Sequence, residues 1–131
     1  MPSASFPYNS KDYSPPMPVM EITLAGLRAG SAIVVPEALV DSGADATMLP
    51  VSLLQQVKAR FHDTRTMRGV TGHRVTVDTY LVTIQIGANR IAGVEAIAME
   101  ESAEAILGRD VLNQLELTLV GPAHELWITW P

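Results

Sequence analysis

Apolar and polar residues alternate along much of this chain, and a period of two is typical of β-strands with one buried face. The longest such segment is Arg74–Ile86, where the alternation is cleanest from Tyr80 onward. Further strands are predicted where short apolar runs end in turn residues. These strands are Met20–Leu24, Ala32–Val35, Ala38–Val40, Ile91–Met99, Leu115–Leu119 and Leu126–Trp130.

Only two short segments favour a helix. The first runs from Pro50 to Val57, because a proline in the first helical turn lacks an N–H that would have no partner there. The second is Asp110–Leu115, which is long enough for one or two turns. Many short strands, frequent turns and little helix predict an all-β barrel or sandwich.

Residues 1–18 differ from the rest of the chain in holding five prolines and four serines. Proline fixes φ and removes a backbone donor, so this segment is predicted to be an extended leader outside any sheet or helix. We expect the folded domain to span residues 19–131. The leader itself has three interpretations: a loose tail, an arm that packs on a partner, or a segment that is removed.

Composition narrows the function classes. A chain of 131 residues has the length of one domain. Apolar residues make up 47% of it and charged residues 18%, and this composition excludes a disordered chain. The absence of cysteine excludes disulfides, thiolate zinc sites and a cysteine nucleophile. A net charge of −5 with nine Lys plus Arg argues against nucleic acid as a partner. No apolar run reaches the ~20 residues of a membrane span, and residues 1–20 lack a signal-peptide pattern, so a cytoplasmic location is expected.

The strongest local feature is Ala38–Thr47, in which an apolar strand leads into Asp41, Ser42 and Gly43. The strand holds the acid rigidly, and the glycine allows a sharp turn close to a ligand. Taken alone, this triplet is also an ordinary turn. The three histidines lack a second ligand at metal-like spacing, and neither a nucleophile elbow nor a phosphate loop is present.

A second segment, Ala105–Leu112, places two apolar residues before Gly108 and a short helix. In type, order and separation, the two segments resemble those of the retropepsin-like aspartic proteases, the single-lobed relatives of pepsin. The resemblance covers about residues 19–120. It implies an all-β, small, closed, barrel-like acid-protease fold with a flap hairpin and one or two short helices.

The resemblance also implies roles for the first motif and its support. Asp41 would be the catalytic aspartate, and Ser42 would stand where the family usually has Thr, bonding across a dimer. Gly43 would bond the substrate backbone. Ala44 and Gly108 would support the active-site loop.

Further roles follow for the rim of the cleft. Asp45 would pair with Arg109, and Thr66–Tyr80 would be the flap, with its tip at residues 69–72. Mostly apolar walls imply apolar side chains beside the cut, and Glu104 would favour a basic or polar neighbour. The substrate-binding residues implied are Asp45, Met48, Met67, Gly69, Val70, Glu104 and Ile106.

One aspartate implies two chains. Hydrolysis without a metal or a covalent nucleophile needs an activated water and a proton donor, which two adjacent carboxylates supply together. This chain has one such segment, so the second carboxylate would be Asp41 of another copy, related by a two-fold axis. The expected protein is a homodimeric aspartic endopeptidase acting on extended peptides, with no metal, cofactor, nucleic acid or membrane.

Several features depart from the family pattern and leave alternatives open. Met17–Val19 stands where retroviral enzymes have an arginine that pairs across the dimer, and Ala123–Pro131 extends past the usual end. The enzyme could process itself by trimming residues 1–18. An alternative function of a different class is an inactive module for dimerisation or peptide binding. The simplest alternative is a β-barrel domain in which the Asp41 segment is only a turn.

Overall fold

The structure, a computed structural model, describes residues 2–28, 31–69 and 71–130. Within these ranges the chain forms ten β-strands, two short α-helices and one 3-10 turn, which confirms the all-β prediction. The strands are β1 Ala4–Pro7, β2 Val19–Ala25, β3 Ala32–Val40, β4 Met48–Pro50, β5 Arg60–Arg68, β6 Arg74–Ile86, β7 Asn89–Met99, β8 Ile106–Leu107, β9 Glu116–Val120 and β10 Glu125–Thr129. The helices are α1 Val51–Gln56 and α2 Arg109–Leu112, and the 3-10 turn is Gly121–Ala123.

Seven strands form one sheet that closes on itself. Their order is β2-β3-β8-β4-β7-β6-β5, and β2 also pairs with β6, with Leu24 opposite Ile84. This extra pairing turns six of the strands into a ring and leaves β5 outside it. Because the ring is closed, each of its six strands pairs with a neighbour on both sides. The interior of a small closed barrel of this kind is filled with side chains.

The interior of the ring is apolar because alternate residues of each strand point inward. Burying each of these side chains contributes about 1.5–3 kcal/mol. The helices add Leu54 and Val111 to the same core. The residues that are at most 1% exposed include Met20, Ile22, Leu24, Leu49, Val82, Ile84, Ile86 and Leu107.

Strand β3 joins two runs that the sequence analysis separated at a proline. Between the pairs Met20–Ala38 and Ile22–Val35, one residue of β2 lies opposite two residues of β3, which include Pro36. Such a bulge interrupts the ladder, so the missing N–H of proline is tolerated there. The strand therefore continues to Val40 and carries the chain directly to Asp41.

Strands β5 and β6 form a long hairpin whose far half extends beyond the ring. The pairing ends at Arg68 opposite Arg74, and the Gly69 N–H donates to the His73 carbonyl oxygen at 2.9 Å. Every residue of β5 is exposed except Met67, which is half-buried. The hairpin covers the expected range Thr66–Tyr80. Its first strand begins earlier, at Arg60, and its second strand begins at Arg74, as the sequence pattern indicated.

The leader is part of the folded structure. Strand β1 pairs with β10, which pairs with β9, and the result is a second, three-stranded sheet. The expectation that residues 1–18 lie outside any sheet is therefore wrong for β1. Pro7 is the last residue of this edge strand, where its missing N–H costs little. The domain boundary at residue 18 stays a prediction. Among the described residues, no helix is long and apolar enough to cross a membrane.

Candidate active site

Asp41 lies immediately after β3, at a strand end that is held from both sides. The Val40 N–H donates to the Pro18 carbonyl oxygen at 3.1 Å, and the Asp41 N–H donates to the Leu107 carbonyl oxygen at 3.1 Å. Strand β8, which contains Leu107, runs parallel to β3 here. The backbone of Asp41 is thus fixed by the sheet, while the residue itself is exposed.

The turn after Asp41 orients its carboxylate. The Gly43 N–H donates to Asp41 Oδ1 at 2.9 Å, and the Ala44 N–H donates to the Asp41 carbonyl oxygen at 3.1 Å. A Cβ atom on Gly43 would lie 3.1 Å from that same Oδ1, so a larger residue would crowd the carboxylate. Ser42 is exposed at the outside of the turn.

Gly108 brings the two motifs into direct backbone contact. A Cβ atom at this position would lie 2.5 Å from both the carbonyl carbon and the carbonyl oxygen of Ala46. Real Cβ atoms do not approach backbone atoms so closely, so only glycine fits. The chain segment that supports the active-site loop is therefore packed against it without an intervening side chain.

Thr47 and Asp110 join the two segments by a partly buried set of hydrogen bonds that the sequence analysis missed. The Thr47 hydroxyl donates to Asp110 Oδ1 at 2.8 Å, and the Thr47 N–H donates to Oδ2 at 3.1 Å. The same hydroxyl accepts a bond from the Gly108 N–H at 3.3 Å. Thr47 is 0% exposed, so these bonds are shielded from water. The only signal in the sequence was that both residues lie within the two matching segments.

Arg109 braces the loop from outside. Its guanidinium forms an ion pair with Asp45, and Nη1 donates to the Ser42 carbonyl oxygen at 2.6 Å. Its backbone N–H donates to the Ala44 carbonyl oxygen at 2.9 Å. The Asp45 side chain is 89% exposed, so the ion pair contributes little to stability and mainly orients the loop.

The remaining predicted substrate residues lie in three places. Met48 is paired with Ile106 across β4 and β8, beside the Asp41 strand. Met67 and Gly69 lie in the β5–β6 hairpin. Val70 lies outside the described residues. Glu104, which precedes β8, is exposed and accepts a hydrogen bond from the Tyr13 hydroxyl.

An ion pair braces the base of the hairpin. The guanidinium of Arg65 contacts Glu95 through two nitrogens, and buried Thr79 donates to Glu95 Oε2 at 2.8 Å. The Arg65 hydrogen bonds hold the pKa of Glu95 below its ordinary value of 4.5, while burial opposes them and Thr79 assists. The hairpin is therefore tied to β7 by a charge-assisted contact.

The chemistry of the site depends on which groups the described residues bring together. No group of three or more His, Asp or Glu side chains in those ranges is placed to hold a metal ion. The site offers a rigidly held, exposed carboxylate at the end of a buried strand. A single carboxylate of this kind can act as a base, and a second one nearby would supply an acid.

A family model described as "gag-polyprotein putative aspartyl protease" matches residues 34–114 of this chain. The matched range contains both Asp41 and Gly108. No curated protein matched the sequence.

Two solved structures resemble this one. The EIAV protease complexed with the inhibitor HBY-793 gives a TM-score of 0.57 at 22% identity, covering 83% of this chain and 93% of that chain. A retropepsin-like aspartic protease from Rickettsia conorii gives a TM-score of 0.54 at 16% identity, covering 86% of this chain and 92% of that chain. At these identities the similarity establishes the fold.

Proposed function

The chain belongs to the retropepsin-like aspartic proteases, and from that premise we propose that it is a homodimeric endopeptidase hydrolysing peptide bonds at an Asp41 pair. Its all-β, retropepsin-like fold confirms the fold expected from the sequence. The observation that carries the proposal is the exposed Asp41 carboxylate, held at the end of β3 and oriented by the Gly43 N–H at 2.9 Å.

In the proposed reaction, the Asp41 carboxylates of two copies hold one water between them. Two carboxylates at such close range share one proton, because both cannot be ionised together. The ionised one takes a proton from the water as its oxygen attacks the peptide carbonyl carbon, and the protonated one donates to the carbonyl oxygen. When the C–N bond breaks, a proton passes to the leaving nitrogen, and an acid and an amine are released.

The loop around Asp41 supports this proposal through its rigidity. Arg109 holds the Ser42 carbonyl oxygen, and Gly108 packs against Ala46. Within this frame, the exposed Ser42 hydroxyl is proposed to bond the matching loop of the second copy. Preorganised groups need not be rearranged during the reaction, which is why a rigid loop favours catalysis.

A second copy has a strand edge available to it. Within the described chain, β9 is an outer strand of the three-stranded sheet, and its Leu119 is 57% exposed. Unpaired strand edges with exposed apolar side chains are ready to pair with another chain. We propose that β9 lies at the dimer interface, and that β10 and β1 follow it in the same sheet, farther from the second copy.

The β5–β6 hairpin is the proposed flap. Its strands are exposed over most of their length, as expected for a lid that gains its contacts when substrate is bound. Met67 lies opposite Val75, which is 48% exposed, so one face of the hairpin near its tip is apolar. This face suits the apolar side chains expected beside the cut.

Cleavage of a broad peptide library by wild type and Asp41→Asn tests the function. The variant keeps the size of the side chain and its hydrogen-bonding capacity, so its fold should be unchanged while activity is lost. Wild-type activity should also fall faster than linearly on dilution near the dimer dissociation constant. Activity retained in Asp41→Asn contradicts the proposal, and activity strictly proportional to concentration contradicts the dimer. Peptide binding without cleavage would instead assign the chain to the inactive alternative.

Trimming of residues 1–18 is a separate proposal. Because β1 is paired with β10, a cut after residue 18 would remove an edge strand from a sheet. We therefore propose that self-processing takes place on chains in which β1 has not yet paired. Mass spectrometry of freshly synthesised and folded protein, with Asp41→Asn as the control, distinguishes the two stages. A cytoplasmic location also stays a prediction.

A further inference from the structure

The segment between β1 and β2 is a closed loop, here called the leader loop (residues 9–17). Asn9 and Met17 exchange two backbone hydrogen bonds, at 2.9 and 3.0 Å. The Asn9 side chain is central to the loop, because its Nδ2 donates to Asp12 and to Glu37, each at 3.0 Å. Asn9 is only 8% exposed. The leader loop is thus anchored to β3, the strand that leads to Asp41.

A second anchor links the leader loop to the other active-site segment. The Tyr13 hydroxyl donates to Glu104 Oε1, across 91 residues of sequence. This bond to an anionic acceptor raises the pKa of Tyr13 to about 12, so the phenol stays protonated and keeps donating. Glu104 directly precedes Ala105, whose carbonyl oxygen accepts from the Leu39 N–H at 2.9 Å. The backbone next to Glu104 is therefore bonded to Leu39, which lies two residues before Asp41 along the chain.

A cavity of about 430 Å³ lies between the leader loop, strand β3 and the residues just before β8. One part of its wall is apolar and includes Val19, Val35 and Leu39, and the other carries the carboxylates of Asp12, Glu37 and Glu104. A cavity with an aliphatic wall and an acidic part matches a side chain with an aliphatic stem and a cationic end.

Among the residues that the structure describes, these three carboxylates have neutral hydrogen-bond donors and form no ion pair. Asp12 and Glu37 are bonded by an amide, and Glu104 by a phenol. The ion pairs found among the described residues join Arg65 or Arg109 to other acids. A cation brought into this cavity would therefore meet negative charge that the described residues leave without an ion pair. Its binding is favourable because it adds attraction where three acids repel one another.

We propose that this cavity binds a Lys or Arg side chain of the peptide substrate, and that Tyr13 is a positioning residue that holds Glu104 for this contact. The inference rests on the proposed function, since it names the substrate class of the same enzyme. Two residues of extended chain span about 7 Å, so the basic residue lies within about three residues of the cut. This role belongs to chains that keep residues 1–18, because trimming the leader would remove Asp12 and Tyr13 from the cavity wall.

Binding is measured on the Asp41→Asn protein, so that peptide recognition is separated from hydrolysis. Fluorescence anisotropy compares labelled peptides with lysine at one position and matched peptides with norleucine, which keeps the aliphatic stem and lacks the charge. The position is scanned over four residues on each side of the library cleavage site, or over a fixed octapeptide frame if the wild type cleaves none. The ratio of the two dissociation constants is the readout, because general damage to the fold weakens both peptides alike.

Lysine is expected to bind about tenfold more tightly than norleucine at one position, as for a hydrogen-bonded charge contact. Tyr13→Phe, which removes only the hydroxyl, should lower this ratio at least threefold, and Glu104→Gln should lower it further. In the double variant, Tyr13→Phe should add nothing to Glu104→Gln, because the phenol acts through the carboxylate. Tyr8→Phe is the matched control, since Tyr8 belongs to the same leader but stacks on His124, and its ratio should equal that of the parent.

A ratio near one at every position, or no binding of either peptide, overturns the inference. A ratio unchanged by Tyr13→Phe overturns the positioning role. If Tyr13→Phe does not fold, the ratio measured for Glu104→Gln, a variant at an exposed position, tests by itself whether the cavity binds the basic side chain. The proposed function has its own readout: wild-type cleavage with no lysine preference removes this inference and leaves the protease, whereas lysine-selective binding without cleavage removes the protease and leaves the basic-residue site.

Discussion

Replacing Gly108 by alanine tests whether the close contact between the two motifs holds the active site together. The added methyl carbon would lie 2.5 Å from the Ala46 carbonyl carbon and oxygen, and 2.9 Å from its nitrogen. All three are backbone atoms of the loop that follows Asp41, so no rotamer change can relieve the contact. Either that loop or the segment around Gly108 must shift. Because hydrogen bonds join the two segments, a shift of either one weakens these bonds.

The size of the effect follows from overpacking. Forcing an extra carbon into a filled interior costs about 1–3 kcal/mol, and the upper end applies because the contacting atoms belong to the backbone. The shift also weakens the bond from the Gly108 N–H to the Thr47 hydroxyl, which is already 3.3 Å long. For a chain of this length, about 3 kcal/mol lowers the melting temperature by roughly 10 °C.

Urea unfolding at fixed protein concentration measures this loss, with peptide cleavage measured on the same preparations. Gly121→Ala is the matched control, because a Cβ atom there meets nothing within 4 Å and should change stability by less than about 0.5 kcal/mol. We expect Gly108→Ala to be destabilised and inactive. Equal unfolding midpoints for the two variants would refute the argument that backbone contact at Gly108 shapes the site.

Three further predictions concern the hydrogen bonds between Thr47 and Asp110, the β5–β6 hairpin, and the packing of Gly87 against Trp130. Thr47→Val should cost about 1–3 kcal/mol in urea unfolding, because it leaves the buried Gly108 N–H without its partner and removes one of the two hydrogen bonds that Asp110 Oδ1 accepts; Thr47→Ser, which keeps the hydroxyl, should cost less. Because the folded pKa of Glu95 is lowered, its stabilising contribution is complete above about pH 4.5 and is lost as the pH falls through the folded pKa. The melting temperatures of wild type and Glu95→Gln should therefore differ at pH 7, and the difference should shrink as the pH falls below 4.5 and through the folded pKa of Glu95; a constant difference would contradict this. Gly87→Ala should shift tryptophan fluorescence, since its Cβ would lie 2.1 Å from the Trp130 ring, whereas Gly72→Ala shares the positive φ without that contact and should leave the emission unchanged.

Much of the barrel was predictable because its strands carry their own signal. Strand β6 spans Arg74–Ile86, the same residues as the alternating segment, since burial on one face of a ring imposes a period of two. Strand β5 had no such signal, because all of its residues except Met67 are exposed. Its strand conformation comes from pairing with β6.

In the leader, the sequence signal pointed away from a strand, and yet a strand forms. Prolines and serines predicted a segment outside any sheet, and that local preference is real. Strand β1 nevertheless forms because β10, more than 100 residues later in the chain, offers it a partner edge. An edge strand needs few ladder bonds from its outer side, so Pro7 is accepted at its end.

Asp41 and Gly108 were both singled out from the sequence alone. The structure shows that Gly108 packs directly on the Ala46 backbone, which only glycine allows, whereas the catalytic role of Asp41 stays a proposal. The contacts that join distant segments were decided by the tertiary structure. Thr47 meets Asp110 across 63 residues, and Tyr13 meets Glu104 across 91. Neither pair leaves a local pattern, since a hydrogen bond depends on where the folded backbone places two polar atoms and not on their separation along the chain.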